Sequence, residues 1–189
     1  MNCSQIITTA LRRLGILAAG QQPDESQIED HLETLKALYL RWVNDGTFGR
    51  LCDIIPLADT EHLASPMTRI AALDPTTVIL PETIRCGGRE ATAVDGSVIV
   101  VVHRTTRQTA TYIYDSASHD WRQIDHLQPT DFAPLAYRDP IGLACYLAIE
   151  LSEEYGQEIS ELTVRNAMAF RTSLTHDYSR GDNSPVPYY

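Results

Sequence analysis

Asp139-Pro-Ile-Gly-Leu-Ala-Cys-Tyr-Leu-Ala-Ile-Glu-Leu-Ser-Glu-Glu-Tyr-Gly156 is the stretch that decides the fold. Asp139 offers a capping side chain, and Pro140 suits a first helical turn, where a backbone N–H has no partner to lose. Ile141, Ala144, Cys145, Ala148, Leu151 and Tyr155 then recur at helical spacing and predict one buried stripe. Gly156 stops the helix. About eighty residues without helical periodicity precede it, so the chain leaves helical grammar and returns to it.

Downstream, a last helix is predicted over about Ser160 to Tyr178, with Thr163, Ala167, Phe170 and Leu174 on its buried face. Ser160-Glu-Leu-Thr163 carries no acid at the capping-box position. Upstream lie two more helices. The first starts at Ser4 as N-cap and runs to about Leu14, with Ile6, Ile7, Ala10, Leu11 and Leu14 as its stripe and Gly15 as its end. After a loop marked by Gly20 and Pro23, the second runs from about Ser26 to Asn44. Ile28, Leu32, Leu35, Tyr39 and Trp42 repeat along it, Leu38 widens the stripe, and Asp45-Gly46 closes it.

Between the helix pairs the pattern is β-type. Thr77-Thr-Val-Ile-Leu80 reads as a short strand ended by Pro81. Glu90 to Val94 and Ser97 to His103 flank Asp95-Gly96, a strong local hairpin signal. Thr109 to Asp115 and Trp121 to Ile124 flank Ser116-Ala-Ser-His-Asp120, a second hairpin. At least five antiparallel strands are expected, in a small sheet, sandwich or barrel.

Short amphipathic helices do not stand alone in water, so the two pairs need one another. The expected class is α+β. A four-helix bundle forms from the N- and C-terminal pairs, an antiparallel β domain is inserted between them, and an extended C-terminal tail follows. The divisions are 1–46 and 133–178 for the bundle halves, 47–132 for the insertion and 179–189 for the tail. Leu11, Leu14, Leu35, Trp42, Ala148, Leu151 and Phe170 are the expected bundle core. Gly181, Pro185 and Pro187 keep the tail from being helical, yet it ends in Val186, Tyr188 and Tyr189. That end is either a frayed terminus or an arm that docks in a partner, where tyrosines supply contact area with a hydrogen-bonding tip.

The chain has 189 residues, 43% of them hydrophobic and 21% charged, which suits a folded globular protein. Its formal net charge is −10, with no basic footprint for wrapping nucleic acid. Like charge would instead let DNA pass with little residence. The N-terminus lacks the basic and apolar regions of a signal peptide, and no apolar run is long enough to span a membrane, so a soluble location is expected. Cys3, Cys52, Cys86 and Cys145 are far apart in sequence, which excludes a CxxC-type metal site. They are read as reduced, with disulfides as the minor alternative.

Candidate chemistry is sparse. The six histidines, His31, His62, His103, His119, His126 and His176, show no HExxH or other tight ligand spacing. His119, Asp120 and His126 are the nearest thing to a metal-dependent hydrolase site, against the simpler reading of a polar hairpin tip. Gly87-Gly88 are turn glycines with no phosphate-loop lysine behind them, and Ser97 stands in no nucleophile elbow. Glu150, Glu153, Glu154, Glu158 and Glu161 read as a solvated helix face. Arg180-Gly-Asp182 matches an adhesion tripeptide by chance. No catalytic residue, cofactor or metal is expected. A ligand-binding module built on residues 50 to 130 is a further alternative.

Two stretches resemble the head-to-tail adaptor family of tailed bacteriophages. One is Ala10-Leu-Arg-Arg-Leu-Gly-Ile-Leu-Ala-Ala-Gly-Gln-Gln-Pro23, followed by the helix ending Leu40-Arg-Trp-Val-Asn-Asp-Gly46. The other is Tyr137 to Gly156, a proline-started helix with Leu-Ala-x-Glu-Leu that closes in Glu-Tyr-Gly. Together they cover the helical half of the chain, and the insertion matches in position and character only. The resemblance implies a structural virion protein of the neck, assembled in the host cytoplasm. It implies a dodecameric ring under the portal protein, joined below to a tail nozzle or tube protein, with double-stranded DNA passing through its channel. The tail residues Pro185, Val186, Pro187, Tyr188 and Tyr189 would be the portal contact. A stopper or tail completion factor is the alternative neck role, though those proteins are mainly β.

Overall fold

The first three backbone positions of the chain are already committed to structure. Asn2 caps helix α1 (Cys3–Arg13): its side chain accepts from the Gln5 N–H at 2.8 Å, and the Gln5 side chain accepts from the Asn2 N–H at 3.0 Å. This reciprocal box satisfies two donors that a helix start leaves without partners. The cap is therefore Asn2, two residues before the expected Ser4. The Cys3 and Ser4 N–H groups are met differently, by the Asp131 and Pro129 carbonyls at 2.9 Å each. The structure, a computed structural model, describes residues 1–47, 52–57, 80, 83–86, 89–93, 97–103, 109–115 and 118–176. It divides into two units, residues 1–49 with 128–189, and residues 50–127.

The first unit holds the four helices. Helix α2 (Glu25–Asn44) is capped by Asp24 through a second reciprocal box with Gln27. Helix α3 (Pro140–Tyr155) starts at Asp139, whose side chain accepts from the Gly142 N–H at 2.9 Å, and ends at Gly156 in the left-handed conformation. Helix α4 (Glu161–His176) follows Ser160, whose hydroxyl accepts from the Thr163 N–H. Residues 177 and 178 lie outside the described residues.

Helix α3 is the centre of this unit, packing against α1, α2 and α4. Every residue from Gly142 to Ala148 is buried. A helix apolar on all sides belongs inside, not at a surface with one stripe. The single stripe expected from spacing is thus corrected: Leu143 and Leu147 are also buried, while Ile141 is 48% exposed. Helices α3 and α4 run antiparallel, with Gly142 beside Phe170 and Cys145 beside Asn166.

Trp42 ties the helices together. It is fully buried, and its ring meets Tyr39 of α2, Tyr146 of α3 and Phe170 of α4 at centroid distances of 5.8, 5.0 and 5.8 Å. Offset and edge contacts of this kind are the favoured aromatic geometry. Leu11, Leu14, Leu35, Ala148, Leu151 and Phe170 are buried as well. Each fully buried leucine or phenylalanine contributes roughly 1.5–3 kcal/mol over its exposed state.

The second unit is β-rich. Its strands are β1 (Cys52–Leu57), β2 (Thr83–Cys86), β3 (Arg89–Thr92), β4 (Val98–His103), β5 (Thr109–Asp115) and β6 (Asp120–Gln123). One sheet has the order β1-β4-β5-β6, and β2 and β3 form a separate antiparallel pair. The hairpin expected at Ser116 to Asp120 is present: Tyr114 lies opposite Trp121, their rings edge-on at 5.2 Å. His119 at its tip takes a positive φ of 53°.

Two expectations are corrected here. The sheet is mixed, because β1 pairs with β4 in parallel, Cys52 opposite Val98 through Leu57 opposite His103. Parallel neighbours need a long crossover, and the stretch from Leu57 to Val98 supplies it. Secondly, among the described residues β3 pairs with β2, two residues away, and shows no pairing with β4. A turn signal is local and competes with every other turn signal nearby. The expected strand at Thr77 to Leu80 falls outside the described residues except for Leu80.

Candidate functional site

The segment leaving the β-rich unit is bolted onto the helices. Besides the carbonyls given to Cys3 and Ser4, the Ala133 N–H donates to the Met1 carbonyl at 3.2 Å, and Asn2 forms an antiparallel bridge with Phe132. The Tyr39 hydroxyl donates to the Pro134 carbonyl at 2.6 Å inside the core. Leu135 is buried with a positive φ of 66°, a conformation that costs a β-carbon-bearing residue energy and is held by its surroundings. These contacts make residues 128–138 part of the helical unit.

The side-chain chemistry of that unit is ionic and structural. Arg41 of α2 donates two parallel bonds to Glu150 of α3, Nη1 to Oε1 at 2.9 Å and Nη2 to Oε2 at 2.6 Å. The paired carboxylate holds the Arg41 guanidinium above its ordinary range. Arg171 of α4 reaches the Tyr146 hydroxyl at 3.3 Å and Asp45 at 3.9 Å. Of the acidic run, Glu150 is thus engaged, while Glu153, Glu154, Glu158 and Glu161 are exposed. Sequence reading took Glu150 for part of a solvated face, because its partner lies more than a hundred residues away.

His31 is buried on α2. Its Nε2 lies 2.7 Å from the Tyr155 hydroxyl, and its Nδ1 finds no hydrogen-bond partner among the described residues. Burial pushes the Tyr155 hydroxyl up from its ordinary value. Of the hydrolase candidates, His119, Asp120 and His126 are all exposed, and the Asp120 carboxylate accepts from the Trp121 N–H at 2.8 Å. Among the described residues, no three His, Cys, Asp or Glu side chains gather as a metal site. A shallow polar notch of about 280 Å³ lies beside α1, lined by Ser4, Gln5, Thr8, Thr9, Arg12 and their neighbours. The Thr8 and Thr9 hydroxyls there donate to their own helix carbonyls.

The surface of the unit is unevenly charged. Helix α2 exposes Glu25, Glu29, Asp30 and Glu33. Helix α4 exposes Leu162, Val164 and Met168 around Arg165, and residues 162–174 contain no acid. Phe132 and Tyr137 add further exposed apolar area. Helical periodicity located the buried faces, and the composition of the opposite faces was the unused signal. The expected portal contact, Pro185, Val186, Pro187, Tyr188 and Tyr189, lies outside the described residues. No helix among the described residues is long and apolar enough to cross a membrane.

No protein-family model matches the chain, and no curated protein matches it either.

Proposed function

We propose that this protein is a structural component of a tailed-phage neck, a head-to-tail adaptor and not an enzyme. Its four helices form a bundle that serves as the wall of a homo-oligomeric ring, dodecameric by the resemblance. The ring sits under the portal protein, receives a tail nozzle or tube protein below, and surrounds the double-stranded DNA path during retention and ejection. The C-terminal arm, residues 179–189, extends to the portal. An acidic channel surface lets DNA slide with little residence.

One observation carries the reading. The two adaptor-like stretches, Ala10–Gly46 and Tyr137–Gly156, stand at opposite ends of the sequence yet belong to one helical unit. They meet through Arg41 with Glu150 and through Trp42 with Tyr146. The motifs that resemble the family are thus the surfaces by which the helices associate.

The test is portal binding. The full chain, mixed with the portal protein of the same phage, should give ring-on-ring particles by electron microscopy. A chain lacking residues 179–189 should keep its circular-dichroism spectrum and lose the complex. Portal binding that survives the deletion removes the arm from the proposal, and absence of any complex with the full chain removes the adaptor role.

A further inference from the structure

We infer that α4 of one copy of this protein seats against the acidic outer face of α2 of a second copy. The contact rests on the ring reading above and adds to it the two faces that meet.

In a chain of net charge −10, residues 162–174 are free of acids and carry Arg165 and Arg171. The outward face of α4 centres on the exposed Arg165. Met168 lies one turn further on, beside the helix-mate Val164, and Leu162 lies one turn back. Leu162 and Met168 are 48% and 47% exposed, while the opposite face, Thr163, Ala167, Phe170 and Leu174, is buried against the unit itself. About half of the Leu162 and Met168 surface is therefore left uncovered by their own unit.

The outward face of α2 is the complement. Glu25, Glu29, Glu33 and Ala37 are exposed in an i, i+4 row that ends at Arg41, itself paired with Glu150, with Asp30 and the half-buried Leu40 beside the row. Lys36 binds the Glu33 carboxylate at 2.8 Å, which leaves Glu29 and Asp30 as the stronger attractors for Arg165. Of the other charges near α4, Glu161 stands at its start, and Asp45 is occupied by Arg171 at 3.9 Å. Laid together, the two faces put a cation with apolar flanks against acids with an apolar end. Complementary potential of this kind fixes partner and register.

The occupant is a second copy because the two faces differ and each copy carries both. Unlike faces joined between identical chains make a heterologous contact, which gives a ring where its rotation closes and an open filament where it does not; the ring is the outcome that accords with the proposed function.

Charge exchange tests the contact on the full chain. Sedimentation equilibrium across a concentration series reads self-association of the wild type, Arg165→Glu, Glu29→Arg and the double variant. All substitutions are at exposed helix positions, and circular dichroism checks that each variant is folded. Either reversal should weaken self-association about tenfold or more, and the double variant should recover most of it. Unchanged association in the single variants, no recovery in the double, or a wild-type chain still monomeric near 1 mM overturns the contact. The portal-binding assay reads a different segment, so these failures and failure of the adaptor reading are separable.

Discussion

Arg41 and Glu150 face each other across α2 and α3 in a fork-to-fork pair, with both guanidinium Nη atoms on both carboxylate oxygens. The Glu150 side chain is 19% exposed and that of Arg41 52%, so solvent screens the pair and its contribution is modest. Arg41→Lys keeps the charge and removes the second bond, because an ammonium cannot match the planar fork. It should cost about 0.5–1 kcal/mol, and Glu150→Gln a similar amount. The double variant should cost less than the sum of the singles, read by urea unfolding as a coupling energy. Additive costs would show that the pair is spectator geometry.

Trp42 holds more of the unit together than any ion pair. Its ring touches aromatic side chains on three helices, and its Nε1 finds no hydrogen-bond partner among the described residues. Trp42→Ala should cost about 3–5 kcal/mol through lost transfer energy and the cavity left behind. Trp42→Phe should cost much less, since it keeps most of the apolar contact and removes a buried donor without a partner. The order of the two urea midpoints checks this. Equal losses would mean that loss of the indole itself, and not the volume left empty, sets the effect.

The helices were legible in the sequence because their signals are local. Asp139-Pro140, Gly156 and the stripe of α2 each act within a few residues. The Ser4 cap was misplaced because Asn2 and Gln5 form the better box, two residues earlier than the expected start. The burial of α3 on all sides was visible in principle as Ala, Leu and Cys on every face, but a search for one stripe discards that information. Strand direction was not legible. The β1–β4 pairing joins residues 46 apart, and strand composition does not encode which way a neighbour runs. Pro56 hinted at the edge position that β1 occupies, since a proline is excluded from the centre of a ladder. The exposed apolar and acidic faces of α4 and α2 were passed over for a different reason: periodicity reports what is buried at home, not the composition of what is left exposed.

Gly142 is a glycine in the middle of a buried helical turn, where alanine is ordinarily the better helix former by about 1 kcal/mol. Here a β-carbon would stand 2.6 Å from Phe170 Cβ and also strike the Asp139 carboxylate that caps the helix. Cβ of Phe170 is fixed to the α4 backbone and cannot swing aside. Gly142→Ala should therefore destabilise the unit by about 1–3 kcal/mol as an overpacking change, against its helix propensity. Gly142→Ala with Phe170→Leu should not rescue it, because the offending atom remains. A stabilised Gly142→Ala variant in thermal unfolding would mean that α3 and α4 separate more easily than their packing implies.

Alkaline pH should weaken the helical unit through its buried thiols. Burial, reinforced by the nearby Asp131 carboxylate, pushes the Cys3 thiol from 9.0 up to about 12. Burial raises Cys145 as well. A thiol whose folded value exceeds its unfolded one supports the fold fully while both states are protonated, below about pH 9. That support fades as pH rises through 9 towards 12, because the unfolded chain loses its proton first. Stability of the helical unit should be flat from pH 7 to about 8.5 as far as these thiols are concerned, and fall above it. Cys3→Ala should lower stability at pH 7 by about 1 kcal/mol for the lost packing and make the fall above pH 9 shallower. Urea midpoints at about pH 7.5, 9.5 and 10.5 would read both effects. In the native chain at pH 8, Cys3 and Cys145 should also resist a thiol reagent until denaturant is added. An unchanged alkaline slope in Cys3→Ala would assign the fall to other groups, and rapid native labelling of Cys3 would show that α1 opens from the segment that holds it.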